Sequence, residues 1–174
     1  MRDDAIPVGL NTIEVAWAAV LGVWRRISGW KNGLDAWKHT DVKSDWATDI
    51  DGVRGEMALA KWLGVYYEPR NLDFKGPDVG RECQVRSTTY PDGCLIIRGN
   101  DEATKKHKFV LAVTPPGLTV YLVGWRYGDE CRKDEYKHMD PRTGRWDGTW
   151  WLKQDQLRPM DTFPVPRQKS LFSA

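Results

Sequence analysis

The chain has 174 residues, enough for one domain with a real core, and its 41% hydrophobic and 29% charged content is that of an ordinary globular protein. A net charge of +2 is too small to announce a nucleic-acid partner by itself, so only local basic patches bear on one. Three scattered cysteines and three histidines give no CxxC pair and no zinc spacing, which sets aside a structural zinc site.

The opening MRDDAIPVGL has no hydrophobic signal region, and the apolar run at 13–24 is short and interrupted by Glu14. A cytoplasmic protein without a membrane span is the expectation. Residues 11–28 read as a helix: Ile13, Trp17, Val20, Trp24 and Ile27 recur at helical spacing, Asn11 or Thr12 can cap the start, and Gly29 can end it. The ten tryptophans call for either a core or a binding surface. Residues 29–47 show no period and read as a loop, or as a short helix with loops. A second helix is expected over 49–63, with acids in its first turn and Gly64 just beyond its end.

GVYYEP and NLDF then read as a short strand and its continuation. Clearer strands follow at 82–88, 94–99, 108–113 and 118–127, punctuated by PDG at 91–93 and PPG at 115–117. Cys83 and Cys94 fall within apolar patterns and read as buried, reduced thiols. Residues 128–149 are polar and Gly-rich, 150–160 offer a short strand or helix, and the tail from Phe163 reads as extended and partly mobile. Two helices followed by several strands predict an α/β (α+β) domain spanning 1–174, with helices packed on a mixed sheet.

One carboxylate stands out on the second helix. Glu56 lies three residues after Val53, three before Leu59 and seven before Leu63, which puts it on or beside the apolar stripe. A buried carboxylate needs a partner: a basic side chain, backbone donors or a cation. Further on, GPDVGRECQVRSTT places Asp78 ahead of a strand whose alternation sets Glu82, Gln84 and Arg86 on one face and Cys83, Val85 and Ser87 on the other. A straight chain would put Asp78 about 20 Å from Gln84 at roughly 3.3 Å per residue. A tight turn at Gly80 instead folds Asp78 back beside the Glu82–Gln84 region. Hard oxygens gathered in this way suit Mg²⁺ or Mn²⁺.

An acid on a helix, then PD, then an ExK-like triplet on the next strand resembles the PD-(D/E)xK nuclease superfamily. The run GExxLAKWLG … GPDVG … CQVRSTT … CLIIRG … FVLAV, with VGW on a later strand, is similar to small bacteriophage members, over about residues 49–125. The helix at 11–28 and a C-terminal extension at 126–174 would flank that core. The resemblance implies a restriction-endonuclease-like core with a central sheet of about four strands, and hydrolysis of DNA phosphodiesters assisted by Mg²⁺ or Mn²⁺. By position it gives Glu56 as the helix acid, Asp78 as the motif aspartate, and Gln84 and Arg86 in place of the ExK glutamate and lysine. Gln84 offers a metal an oxygen without charge, and Arg86 keeps a positive charge but cannot accept a proton. Glu82 would supply the missing carboxylate, completing a metal set of Glu56, Asp78, Glu82 and Gln84.

Arg98, Lys105, Lys106, Arg142 and Arg145 are the candidate nucleic-acid contacts, the last two within RTGRWDGTWW, where basic and aromatic residues interleave. A nuclease-fold protein that binds nucleic acid or a protein partner without cleavage is the rival reading, and a homodimer is compatible with either. Phosphate-binding Gly-rich loops, a Ser-His-Asp set and HExxH are missing from the sequence.

Overall fold

A computed structural model of the chain describes residues 1–33, 45–69, 76–99 and 104–164. Strand β1 (Ile6–Gly9) is followed by helices α1 (Thr12–Lys31) and α2 (Asp45–Leu63). Strands β2 (Cys83–Thr88), β3 (Leu95–Arg98), β4 (Lys108–Val113) and β5 (Thr119–Tyr127) come next, and then a one-turn helix α3 (Gly128–Cys131). A hairpin of β6 (Lys137–Met139) and β7 (Trp146–Leu152) leads to two short 3-10 turns. The protein is thus mixed α and β, with a four-stranded mixed sheet ordered β1-β5-β4-β2, in which only β2 and β4 run parallel.

Two helices lie in layers over one face of that sheet. α2 is buried on nearly all sides because it lies between α1 and the sheet, where Ala58, Leu59 and Leu63 join Val85, Val110 and Leu122 in one core. The opposite face is covered not by a helix but by a second sheet, β3-β7-β6. There Phe109, Leu111 and Val123 meet Leu95, Ile97, Trp150 and Leu152. The turn at 91–93 therefore carries the chain from one sheet to the other.

α1 starts at a capping box, in which the Asn11 side chain accepts from the Glu14 amide and Glu14 accepts from the Asn11 amide. It runs through Gly29 and ends at Asn32, with Gly33 at φ +67°. The stop expected at Gly29 is not used. α2 begins a turn earlier than expected, at Asp45, and ends at Gly64 (φ +65°) as anticipated. Residues 65–69 are irregular rather than a strand, and NLDF and residues 34–44 lie outside the described residues. Phe163, assigned to a mobile tail by its sequence, is buried against Trp125 with ring centroids 5.2 Å apart.

The contact between α1 and α2 depends on Gly22. A Cβ added there would come within 2.7 Å of Ile50 Cα and N, atoms of the helix backbone that cannot swing away. Gly22→Ala gains at most about 1 kcal/mol in helix propensity, against an overpacking cost of about 1–3 kcal/mol. A net loss of stability is expected in urea denaturation, whereas Gly9→Ala, with nothing within 4 Å, is expected to be nearly silent.

Candidate functional site

The turn at Gly80 forms as its sequence suggests. Gly80 takes φ +61°, and Val79 pairs antiparallel with Cys83, so the chain doubles back within five residues. The Asp78 and Val79 amides both donate to the Cys83 carbonyl, at 2.8 and 3.1 Å. β2 is an edge strand, and on its outer edge the Val85 amide donates to Asp78 Oδ2 at 2.7 Å. Asp78 is thereby fixed beside the middle of β2 by the backbone of the strand it precedes.

Arg86 lies next to it. Its Nη1 donates to the Val85 carbonyl at 2.9 Å and stands 3.5 Å from both Asp78 Oδ2 and Gln84 Oε1, at the limit of a hydrogen bond. Its guanidinium carbon lies 5.3 Å from the centroid of the Phe109 ring. Gln84 turns its amide nitrogen to the Gly76 carbonyl at 3.0 Å and to His107 Nδ1 at 3.4 Å, which leaves Oε1 toward Arg86.

Glu56 is buried and satisfied by protein groups. Arg25 of α1 donates to both of its oxygens at 2.8 Å, and the Tyr67 hydroxyl donates to Oε2 at 2.8 Å. The partner it requires is thus an arginine joined by a tyrosine. Burial, reinforced by the Glu56 charge, pushes the Tyr67 hydroxyl well above the usual phenol range. Arg25 is held firmly protonated because its hydrogen bonds and attraction to Glu56 outweigh the effect of burial.

Glu56 and Asp78 are near enough to feel each other. Burial first, and then the Glu56 carboxylate, raise the Asp78 pKa to about 6, against the opposing pull of Arg86 and the Val85 amide. Burial first, and then the charges of Arg98 and Arg132, ease the hold of Arg86 on its proton against the pull of Asp78. Arg132 donates to Thr104 Oγ1 at 2.7 Å and lies over the rings of Phe109 and Trp150. The site is thus two carboxylates among several guanidinium groups, on the edge of β2.

Glu82 does not join it, which corrects the expectation from strand alternation. It precedes the first residue of β2, and its half-exposed carboxylate pairs with the buried Lys108 ammonium. Lys108 is in register with Cys83, whose side chain belongs to the α2-side core, so Glu82 is drawn away from Gln84. Among the described residues, no three His, Cys, Asp or Glu side chains group so as to hold a metal ion.

The basic candidates are spread over the surface. Arg98 is exposed at the end of β3, and Lys105 and Lys106 are exposed on the turn before β4. Arg142 and Arg145 project from the β6–β7 loop, where Arg142 lies 3.6 Å from Asp140. Beside that loop His138 stacks on the partly exposed Trp151, centroids 4.1 Å apart, and its Nδ1 is 2.7 Å from Asp147 Oδ2.

Sequence reasoning missed Arg25, Tyr67 and Arg132. Arg25 had a signal: it falls four residues after Leu21 and three before Ser28, both buried, on the face of α1 turned to α2. Comparison with protein-family models, with curated proteins and with solved structures found no match to the chain. No helix among the described residues is long and apolar enough to cross a membrane.

Proposed function

We propose that the protein acts on the phosphodiester backbone of DNA, as a nuclease of the PD-(D/E)xK type centred on Asp78 and Arg86. The observation that carries this reading is Asp78: a glycine turn folds it back onto the edge strand, beside both a second carboxylate and an arginine. Burial, and then the Glu56 charge, raise the Asp78 pKa to about 6, the range useful to a group that binds a cation or exchanges a proton near neutral pH.

The donor set fits Mg²⁺ or Mn²⁺ sparingly. Magnesium takes one or two protein carboxylates and completes its shell with water and phosphate. Asp78 and the Gln84 amide oxygen are the hard oxygens positioned for it. Glu56, with both oxygens held by Arg25, acts from behind through its charge. Such an ion, when bound, supplies Lewis-acid polarisation of a phosphate oxygen and a more acidic water. Arg86 holds a non-bridging phosphate oxygen and stabilises the extra charge of the transition state, with Arg98 extending the positive surface along the strand ends.

A second reading has its own support. The bidentate Arg25–Glu56 pair and the diversion of Glu82 to Lys108 remove two carboxylates from any metal shell, which favours phosphate binding without hydrolysis.

Incubating supercoiled plasmid and linear single strands with the protein in Mg²⁺, in Mn²⁺ and in EDTA separates the two. Cleavage is expected with either metal and none in EDTA. Binding without cleavage, with log affinity falling about 0.9 per phosphate contact for each log unit of salt, selects the second reading. Neither cleavage nor salt-dependent binding would reject both.

A further inference from the structure

α1 carries a stripe that the described residues leave uncovered. Ile13, Trp17, Val20, Trp24 and Ile27 are 78%, 50%, 51%, 57% and 51% exposed, although each is a large apolar residue. The face turned to α2 is instead lined by Leu21 together with Ala18, Gly22 and Ser28, and these last three, being small, let the two helices approach closely. The uncovered stripe is therefore not a core face read wrongly. It is a second face, flanked by Val23 and Trp30, which are 37% and 49% exposed, Trp30 also packing edge-on against Trp46 with centroids 5.1 Å apart.

Its spacing specifies what covers it. The steps are four, three, four and three residues, the 3.5-residue repeat by which one helix keeps a seam against another helix. Its area is that of a stable interface. Three tryptophans at about half exposure offer roughly 100 Å² each. With the isoleucines and valines the face reaches roughly 600–700 Å², near the ~800 Å² per partner of a standard specific complex and beyond the few hundred Å² that a monomer ordinarily exposes in one patch. Its charge argues against a lipid surface. Interfacial helices turn free Lys and Arg to the headgroups. Here Arg25 and Arg26 are bound inward, to Glu56 at 2.8 Å and to Asp49 at 2.7 Å, which leaves Lys31 in the last turn as the one exposed cation of α1.

The geometry points to a second copy of this chain as the occupant: α1 is a homodimerisation helix, with two copies meeting face to face about Val20. A two-fold axis brings the same patch of each copy together, and Val20, the middle residue of the five, falls at that axis. Trp17 and Trp24 pack on either side of it as the anchors.

Sedimentation velocity of the full chain, from low to about 100 µM, tests this with a readout independent of nucleic acid. A species of twice 20.0 kDa is expected. The double variant Trp17→Glu/Trp24→Glu is expected to weaken dimerisation at least ~100-fold, as loss of central tryptophan anchors does, and to keep its far-ultraviolet circular dichroism because neither residue is buried. Should that variant not fold, Val20→Cys in a Cys94→Ser background is expected to form a disulfide-linked dimer on oxidation. Tyr90→Cys, at a 65% exposed position away from α1, should not. Wild type that is monomeric throughout overturns the proposal. So does a dimer that survives both glutamates, failure of Val20→Cys to cross-link, or a monomer that sediments with phosphatidylcholine–phosphatidylserine vesicles.

Discussion

Arg25→Ala is expected to lower stability by about 3–5 kcal/mol, the cost of leaving a buried carboxylate without its cation. Glu56 has 6% of its side chain exposed, and Arg25 contributes two of its three hydrogen bonds. Tyr67→Phe removes only the third and is expected to cost about 1.5–3 kcal/mol, the range for a bond to a charged group. If the loss from Arg25→Ala reflects an uncompensated charge rather than lost packing, removing that charge as well must restore much of it. Arg25→Met with Glu56→Leu is therefore expected to recover most of the stability, since apolar replacement of a buried pair is often neutral. The check is urea denaturation of wild type and these three variants. A double variant no better than Arg25→Ala would place the loss in the packing of α1 on α2.

The strands at 108–113 and 118–127 were legible because both faces of the central strands are buried, which makes them near-continuous apolar runs. β1 was not, since IPVG is four residues with a proline and gains its pairing only from β5, more than a hundred residues away. The second sheet was only partly visible: β3 was, but β6 and the start of β7 fall in the polar, glycine-containing run 128–149, and Trp150 joins Leu95, Ile97 and Phe109 through contacts no local pattern records. α1 was legible as a helix, but not by the face it docks. Its strongest apolar periodicity marks the exposed face, while the face turned to α2 includes Ala18, Gly22 and Ser28, residues too small to stand out in a hydrophobic pattern.

The candidate site divides in the same manner. Asp78 was recoverable because a glycine at position 80 allows the left-handed turn that brings it back to β2. Glu56 was recognisable as a carboxylate in need of a partner, yet the identity of that partner depends on how α1 crosses α2, which spacing within either helix does not state. Glu82 failed because alternation holds only inside a strand. β2 begins at Cys83, and one residue outside the ladder Glu82 is free to turn toward Lys108.

Asp78 then supports a prediction whose two halves constrain each other. Its pKa of about 6 in the folded protein lies above the ordinary 3.8, so the folded state binds the proton more tightly than the unfolded chain. Stability is therefore expected to fall as pH rises from about 4 to about 6, and the full penalty to apply above that. Two pH units correspond to less than ~3 kcal/mol at 1.36 kcal/mol each, and solvent at the quarter-exposed side chain reduces this to about 1–2 kcal/mol. Asp78→Asn keeps an oxygen to accept from the Val85 amide but carries no charge to bury beside Glu56. It is expected to be more stable than wild type by about 1–2 kcal/mol at pH 7.5 and equal to it at pH 4. The same substitution is expected to lower metal-dependent cleavage by more than ~100-fold, since altering even outer partners of a metal site costs 10- to 100-fold. Addition of Mg²⁺ should raise the melting temperature of wild type but not of Asp78→Asn, because only the ionised carboxylate gains from the cation. A variant that is more stable and inactive marks Asp78 as a residue held at a cost to the fold for the sake of its chemistry. A variant that is less stable at pH 7.5 would mean instead that attraction to Arg86 outweighs burial, and Asp78 would then be a structural partner of that arginine.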